Sequence, residues 1–373
     1  MKSTEAVKKI VFTGGHHNSA LAVARELIET YGYEVVWFGH KFTMRKDRNV
    51  SSEFKEVTAA NIKFVELHAG KLYKTFNPIQ LLKLPVGFLQ AFYLLLKEQP
   101  DLVVSFGGYL AAPAVVAAYI QNVPVVTQEQ TTVVGLANRL IAHFADKIFI
   151  TWPQSKIYFD SDKVTVVGLP LRDAIFYEGE KMFGNDMPTL YITGGKQGSH
   201  IINEAVLESL EQLLTRFNII HQTGGNTVHN DLEKLKQKAQ YLAPELRQRY
   251  IAKDYFYEDE IGKVFYSADI VVSRAGAHTI YEIAALGKVA LFIPIPWVSH
   301  NEQYKNARIL VNEGSAHILP ENRLTKETLI VELDTMMNDI DELKSQAEKA
   351  KSKIVYNARE RMVNEIQKFI TQK

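Results

Sequence analysis

Five turns of this chain join small residues to groups able to hold an anion or a sugar. Four are glycine pairs that follow apolar runs: TGGHHNS from Thr13, FGGYLAAP from Phe106, TGGKQGSH from Thr193 and QTGGN from Gln222. A glycine pair permits positive φ and close approach of the backbone, which suits a phosphate or a sugar. Tight turns need glycine for structural reasons as well, so the set of four says more than any one of them. The fifth turn lies in SRAGAHTIYEIAALGK, where Arg274, two small residues, Thr279 and Glu282 stand between the apolar runs ADIVV and VALFIPIP. This unit reads as strand, turn, helix, strand, with the helix from Ala277 to Leu286 stopped by Gly287. In open parallel sheets ligands bind outside the carboxyl ends of strands, and a helix N-terminus offers free N–H groups to an anion. A ligand is therefore expected at this turn.

Several chemistries are disfavoured. TGGKQGSH lacks the Gly-Lys-Ser/Thr ending of a phosphate loop, and no G-x-G-x-x-G follows the first strand, which counts against an NTPase and a nicotinamide dehydrogenase. Asp160 and Asp162 form an Asp-x-Asp able to hold a divalent ion, although a loop between IYF and KVTVV is an ordinary place for solvated aspartates. The absence of cysteine removes disulfides, thiolate metal sites and a cysteine nucleophile. Basic and acidic residues nearly cancel, 43 against 42, so no overall field attracts nucleic acid.

The elements that must position these turns alternate along the chain. KKIVFT, SALAVARELIETY, YEVVWFG, PDLVVSF, AAPAVVAAYIQ, VPVVTQE, ANRLIAHFA and DKIFIT read as strands and helices of a parallel α/β layer, and the alternation restarts at TLYITGG. With 373 residues, 46% of them hydrophobic, the chain exceeds the roughly 250 to 300 residues at which one core stops growing. Two α/β domains are expected: 1–172, a polar linker 173–187, 188–355, and a terminal helix 356–373 packing back on the first. The N-terminus reads as mature protein without a signal peptide. The most apolar stretch, Pro78 to Pro100, is interrupted by Lys83, Pro85 and Gly87, short of the ~20 continuous apolar residues of a membrane span.

In this order the turns resemble the MurG-type N-acetylglucosaminyltransferases of glycosyltransferase family 28. The resemblance runs through TGGHHNSALAVA, FGGYLAAP and VVGLPLR ending at Arg172. It is sharpest in GGKQGSHIIN, IIHQTGG, YSADIVVSRAGAHTIYEIAALGKVALFIPIP and NEQYKNA from Asn301. It implies an α/β fold of the GT-B kind, two facing Rossmann-like domains with parallel sheets, in which the second domain binds a UDP-sugar and the first faces the acceptor and the membrane. The implied reaction is inverting transfer of N-acetylglucosamine from UDP-N-acetylglucosamine to an undecaprenyl-linked muramyl-peptide, lipid I to lipid II, in peptidoglycan synthesis, with consequences for cell shape and division. The implied location is the cytoplasmic face of the cell membrane.

Residue by residue, the resemblance assigns the donor to Arg172, Gly194, Gly195, Lys196, Gln197, Gly198, Arg274, Ala275, Gly276, Thr279, Glu282, Gln303 and Asn306. Glu282 resembles the carboxylate that accepts hydrogen bonds from ribose hydroxyls, and Gln303 and Asn306 resemble amides that hydrogen-bond the sugar. Arg172 and the amides of the glycine turn would face the diphosphate, stabilising the leaving group electrostatically, so no obligatory metal or other cofactor is expected. The acceptor is assigned to Thr13, Gly14, Gly15, Gly107, Gly108, Tyr109, Gln128, Glu129, Gln130 and Thr131. His16 matches a histidine close to the acceptor hydroxyl and could take its proton, with His17 adjacent as a rival. Peripheral membrane contact is expected at Ile79, Leu82, Phe88, Phe92 and Leu95, with Lys71, Lys74, Lys83 and Lys97 nearby.

Some positions depart from the family pattern. Phe12 replaces a glycine, Ser19 a proline, and Lys196 a serine in the phosphate turn. Gln128 and Thr131 depart from a His-Glu-Gln-Asn run, and Glu302 precedes Gln303 where histidine or glutamine is usual. A related transferase with another UDP-sugar or lipid acceptor, a non-catalytic nucleotide-sugar-binding protein and a UDP-sugar epimerase remain alternatives at this stage.

Overall fold

The computed structural model describes residues 7–42, 50–69, 83–226 and 228–371, with the side chains of residues 83, 84 and 299 left aside. Lys71, Lys74, Ile79 and Leu82, expected at the membrane, lie outside the described residues, as does the side chain of Lys83. The chain divides into two compact units, one of residues 1–171 with 355–373 and the other of residues 172–354.

The first unit is built from β1 (Lys9–Thr13), α1 (His17–Tyr31), β2 (Glu34–Gly39), α2 (Ser52–Ala59), β3 (Lys63–Glu66) and α3 (Lys83–Glu98). These are followed by β4 (Leu102–Ser105), α4 (Ala111–Ile120), β5 (Val125–Glu129), α5 (Leu136–Phe144), β6 (Lys147–Ile150) and β7 (Val164–Val166). Its parallel sheet runs β3-β2-β1-β4-β5-β6-β7. The strands are apolar on both faces because helices cover both. Ile10 and Phe12 enter one core with α1, while Val11 enters the other with α3, α4 and α5, as period-two alternation requires. The C-terminal helix, Ala358–Thr371, completes the first of these cores: Met362, Val363, Ile366 and Ile370 are buried there. Its exposed charges, Glu360, Arg361 and Lys368, lie off that buried face.

The second unit repeats the plan with β8 (Thr189–Thr193), α6 (His200–Leu214), β9 (Asn218–Gln222), α7 (Asp231–Gln240), β10 (Tyr250–Lys253) and α8 (Glu258–Ser267). It continues through β11 (Ile270–Ser273), α9 (Ala277–Ala285), β12 (Val289–Phe292), α10 (Glu302–Asn312), β13 (Ala316–Ile318), α11 (Lys326–Asn338) and α12 (Ile340–Lys351). The parallel order is β10-β9-β8-β11-β12-β13. Residues 173–187, read from sequence as a linker, fall within this unit. Met182 donates its N–H to the Ser267 hydroxyl at 2.8 Å, and Asn185 exchanges side-chain hydrogen bonds with Asn218.

Strand order decides which turns face a ligand. In each sheet the chain reverses its direction of winding between two central strands, and the crevice forms at their carboxyl ends. In the first unit these strands are β1 and β4, leading into Thr13–His16 and Phe106–Tyr109; in the second they are β8 and β11, leading into Gly194–Ser199 and Arg274–Gly276.

Candidate active site

In the first unit the two glycine turns are locked together through their backbones. Phe106 N–H donates to the Thr13 carbonyl at 2.7 Å and Gly15 N–H to that of Gly107 at 3.1 Å. Gly14 sits at φ +132°, and a Cβ there would lie 2.7 Å from the Phe106 carbonyl carbon, so only glycine allows this approach. His16 occupies the N-cap of α1 without capping it through its side chain. Burial, with the charge of neighbouring His17 adding to it, lowers the His16 pKa to about 4, so its imidazole is neutral at physiological pH. His17 is held differently, with Nε2 lying 3.2 Å from the Glu56 carboxylate.

Behind these turns lies a buried polar frame. Asn138 accepts from Gly108 N–H at 2.8 Å and donates to Glu129 at 2.6 Å; the other Glu129 oxygen accepts from Thr131 N–H at 2.9 Å. Burial raises the Glu129 pKa, with the hydrogen bonds from Thr131 and Asn138 opposing it. Gln128 donates to the Gly168 carbonyl at 3.2 Å, and Gln130 to Gln128 at 3.2 Å. Gln128, Glu129, Gln130 and Thr131, expected from sequence as acceptor contacts, are thus buried, and these bonds place them as supports of the turn.

Sequence reading missed a neighbouring group. His40 follows β2, its ring 6.1 Å from that of Tyr109, and Trp37 donates to Glu53 at 2.8 Å. Burial, then the charge of His68, lowers the His40 pKa against the pull of Glu66, and burial raises those of Glu53 and Tyr109. No spacing in the sequence ties His40 and Glu53 to Tyr109.

In the second unit, Gly194–Ser199 packs directly on the turn after β9. Gly198, at φ +79°, would place a Cβ 1.9 Å from the Thr223 carbonyl oxygen. Gly225 N–H donates to the Lys196 carbonyl at 2.9 Å, and the Gln222 amide to Thr193 and to the Gly195 carbonyl. The turn delivers the chain into α6, whose N-cap Ser199 gives no side-chain cap; α9 likewise starts at Gly276 without one. Two helix N-termini at the winding reversal therefore keep first-turn N–H groups for an anion.

Arg274 braces these elements. It donates to the Ile293 carbonyl at 2.9 Å and to the Ser199 hydroxyl at 2.8 Å, and pairs with Glu321 at 2.5 Å. Expected as a donor contact, its guanidinium thus spends donors on joining β11, β12 and the start of α6. Glu321 lies 47 positions downstream in a charged stretch, where nothing in the sequence marks it. Arg172 and Glu282, both assigned to the donor, pair with each other at 3.0 Å. Burial is the largest single influence on Arg172 and opposes its charge, but Glu282, with smaller contributions from Tyr255 and Tyr191, makes the net pKa shift upward.

Gln303 Oε1 accepts from Ala275 N–H at 3.3 Å and Ile295 N–H at 3.0 Å, and Asn306 donates to the Ala275 carbonyl at 3.3 Å. These two amides hold the turn after β11 through the carbonyl of one and the NH2 of the other. Thr279 lies in the first turn of α9, half-buried, and in the phosphate-type turn Lys196 is half-buried and Gln197 exposed.

A second network escaped the sequence. Tyr250 OH lies 3.0 Å from His221 Nδ1, and His221 Nε2 lies 3.1 Å from Asn203 Oδ1. The Asn203 NH2 donates to the Thr223 carbonyl at 3.0 Å and to Asp231 at 2.9 Å, while His200 Nδ1 meets Asp231 at 2.8 Å. Burial lowers the His221 pKa to about 3 against Asp231, which keeps the ring neutral, accepting from Tyr250 and donating to Asn203. The chain of bonds ties α6 to β9, to the glycine turn that follows it and to α7. Asp160 Oδ1 accepts from Asp162 N–H at 3.2 Å, so the Asp-x-Asp caps a short turn.

Comparison with known proteins agrees with this arrangement. The glycosyltransferase family 28 N-terminal domain matches residues 11–150, and the family 28 C-terminal domain matches residues 189–362. The UDP-N-acetylglucosamine–N-acetylmuramyl-(pentapeptide) pyrophosphoryl-undecaprenol N-acetylglucosamine transferase of Clostridium tetani is 30% identical, over 98% of this chain and 99% of its own. The protein of the same name from Clostridium botulinum is 32% identical over 88% and 90%. The crystal structure of Acinetobacter baumannii MurG matches with a TM-score of 0.73 at 25% identity, over 97% of this chain and 99% of that one. With a GT-B fold and both family domains in order, the chain belongs to glycosyltransferase family 28 and, within it, to the MurG-type N-acetylglucosaminyltransferases.

Proposed function

We propose that this enzyme moves N-acetylglucosamine from UDP-N-acetylglucosamine to the undecaprenyl-diphosphate-linked muramyl-pentapeptide, making lipid II from lipid I. The observation that carries the reading is the second unit's winding reversal, where α6 and α9 both begin without side-chain caps and α9 carries Glu282, paired with Arg172. The relatives' names supply the identity of the substrates. Glu282 accepts the ribose hydroxyls, the Arg172 charge and the first-turn N–H groups of α6 take the diphosphate, and Arg274, Gln303 and Asn306 keep those groups in place. The neutral His16 imidazole accepts the proton of the attacking hydroxyl, while the charge gathering on UDP is met by fixed dipoles and cations. We propose that turnover needs no added metal. Product formation of this kind places the enzyme in peptidoglycan synthesis, and so in cell shape and division.

The lipid acceptor asks for a membrane-facing surface at the inner leaflet, and α3 offers one. Phe88, Phe92 and Leu95 pack on the first unit's core, so the membrane role expected of them from sequence passes to the opposite face of the helix. There Val86, Leu89, Tyr93 and Leu96 form an exposed apolar stripe beside exposed Lys97. Among the described residues no helix is long and apolar enough to cross a membrane. The test of the reaction is incubation with UDP-N-acetylglucosamine and a short-chain lipid I analogue. Release of UDP with formation of the disaccharide is expected; UDP release only with another sugar or acceptor would overturn the substrate assignment.

A further inference from the structure

The segment from Ile293 to Asn301 joins β12 to α10 and is pinned to the turn after β11. Arg274 donates to the Ile293 carbonyl at 2.9 Å, and Gln303 Oε1 takes the Ile295 and Ala275 N–H groups together. Pro294 and Pro296 flank Ile295 and fix φ on either side of that bond. Asn301 N–H donates to the Val298 carbonyl at 3.2 Å, and His300 and Asn301 both adopt φ +54°. Two successive non-glycine residues in the left-handed region persist only where the surroundings impose them, and such strain gathers at ligand sites. The segment therefore has a set shape, and what it presents is Trp297, which is 74% exposed. The turn it is bonded to holds polar atoms in need of a partner. Among the described residues, Ser273 Oγ, Arg274 Nε and Asn306 Oδ1 are buried with no hydrogen-bond partner, and Asn306 is tied to that turn through the Ala275 carbonyl. Buried polar atoms are nearly all bonded in folded proteins, so three orphans about one turn mark a place where a ligand's hydroxyls are received.

Unbonded polar atoms and a bare indole on one braced segment match the two surfaces of a hexose, hydroxyls at its rim and C–H groups on its face. We propose that Trp297 is a specificity residue for the donor, its ring lying along the C–H surface of the sugar whose hydroxyls reach Asn306. The inference deepens the donor reading above and rests on it. Indole suits the task, since a large apolar face is held by only two side-chain torsions and little entropy is lost on contact. Recognition of the sugar is thereby separated from recognition of the nucleotide. Glu282, Arg172 and the start of α6 hold UDP, and Trp297 adds affinity only when the hexose is attached.

The wild-type chain reports this contact itself. Of its three tryptophans, Trp37 and Trp152 belong to the first unit and are 1% and 7% exposed, so Trp297 alone is open to a quencher in water. Acrylamide quenching of intrinsic fluorescence is to be measured on the full chain without ligand, with saturating UDP and with saturating UDP-N-acetylglucosamine. The sugar nucleotide should lower quenching of Trp297 about twofold or more, and UDP should not. Trp297→Ala should weaken UDP-N-acetylglucosamine about fivefold or more, by calorimetry and as a raised KM, with UDP affinity changed by less than about twofold, and Trp297→Phe should restore most of the loss. Equal shielding by UDP would overturn the proposal in favour of a nucleotide contact. Shielding by neither ligand, with normal binding in Trp297→Ala, would overturn it in favour of a surface that meets a protein partner. Failure of the donor reading looks different. If another UDP-sugar alone shields Trp297 and loses affinity in Trp297→Ala, the donor's identity falls and the platform stands; if Trp297→Ala keeps the wild-type preference for UDP-N-acetylglucosamine over UDP, the donor's identity stands and the platform falls.

Discussion

At the end of β1 the first unit places a histidine that burial keeps neutral; at the ends of β8 and β11 the second places Lys196 and Arg274, with Arg172 close to Glu282. Both units wind their strands alike, and both close-pack two backbone turns at the reversal. What differs is the charge. On the proposed mechanism a neutral His16 suits a group that must give up a proton, while the Arg172 charge and bare helix ends suit a leaving diphosphate. Duplicated architecture supplies two similar platforms, and on the proposed mechanism a few side chains at the strand ends give each its own part of the reaction.

Removing the base tests the division most severely. His16→Ala should lower turnover about 10²- to 10⁴-fold while UDP affinity stays within about twofold, as read from initial rates and calorimetric titration. A matching loss of UDP affinity would break the division of labour. The next effect belongs to the first unit's scaffold. Ile366→Ala, in the C-terminal helix, should cost about 2 to 5 kcal/mol of that unit's stability, seen as an earlier denaturant transition, with UDP still bound by the second unit. On the donor side, Glu282→Ala should weaken UDP binding about 10- to 100-fold, since a carboxylate partner of two hydroxyls is removed and Arg172 loses its counter-charge. Unchanged donor affinity would reject the ribose assignment.

The smallest effect is on pH. A base held near 4 is already deprotonated at neutrality, so the proton-accepting form is present above that value and is lost as pH falls through about 4. Turnover governed by His16 should change less than about twofold between about pH 8 and pH 6. A fall centred near the ordinary histidine value would point to a different base.

The legibility of the site follows the same contrast. Strand runs such as KIVFT and IVVS, and the glycines that end them, are local signals, and the resemblance of the turns names the family. Partners brought in by tertiary packing leave no such trace: Glu321 reaches Arg274 from beyond β13, and Asp231 reaches Asn203 and His200 from α7. Helix α3 shows a third limit. Its two faces, Phe88 with Phe92 and Leu95, and Leu89 with Tyr93 and Leu96, are both apolar at helical spacing, so hydropathy alone does not tell which one meets the sheet. Gln128 to Thr131, assigned to the acceptor by resemblance, show a fourth, because the sequence does not tell that they are buried and hydrogen-bonded, Gln130 to Gln128 and Thr131 to Glu129.

The most direct test of the central claim is a titration of the isotopically labelled full chain with UDP, followed amide by amide. The account predicts that shifts concentrate at Gly194–Ser199 and Arg274–Glu282, with Thr13–His16 and Gly107–Tyr109 little moved. Shifts centred on the first unit's turns, with the second unit's unchanged, would contradict it.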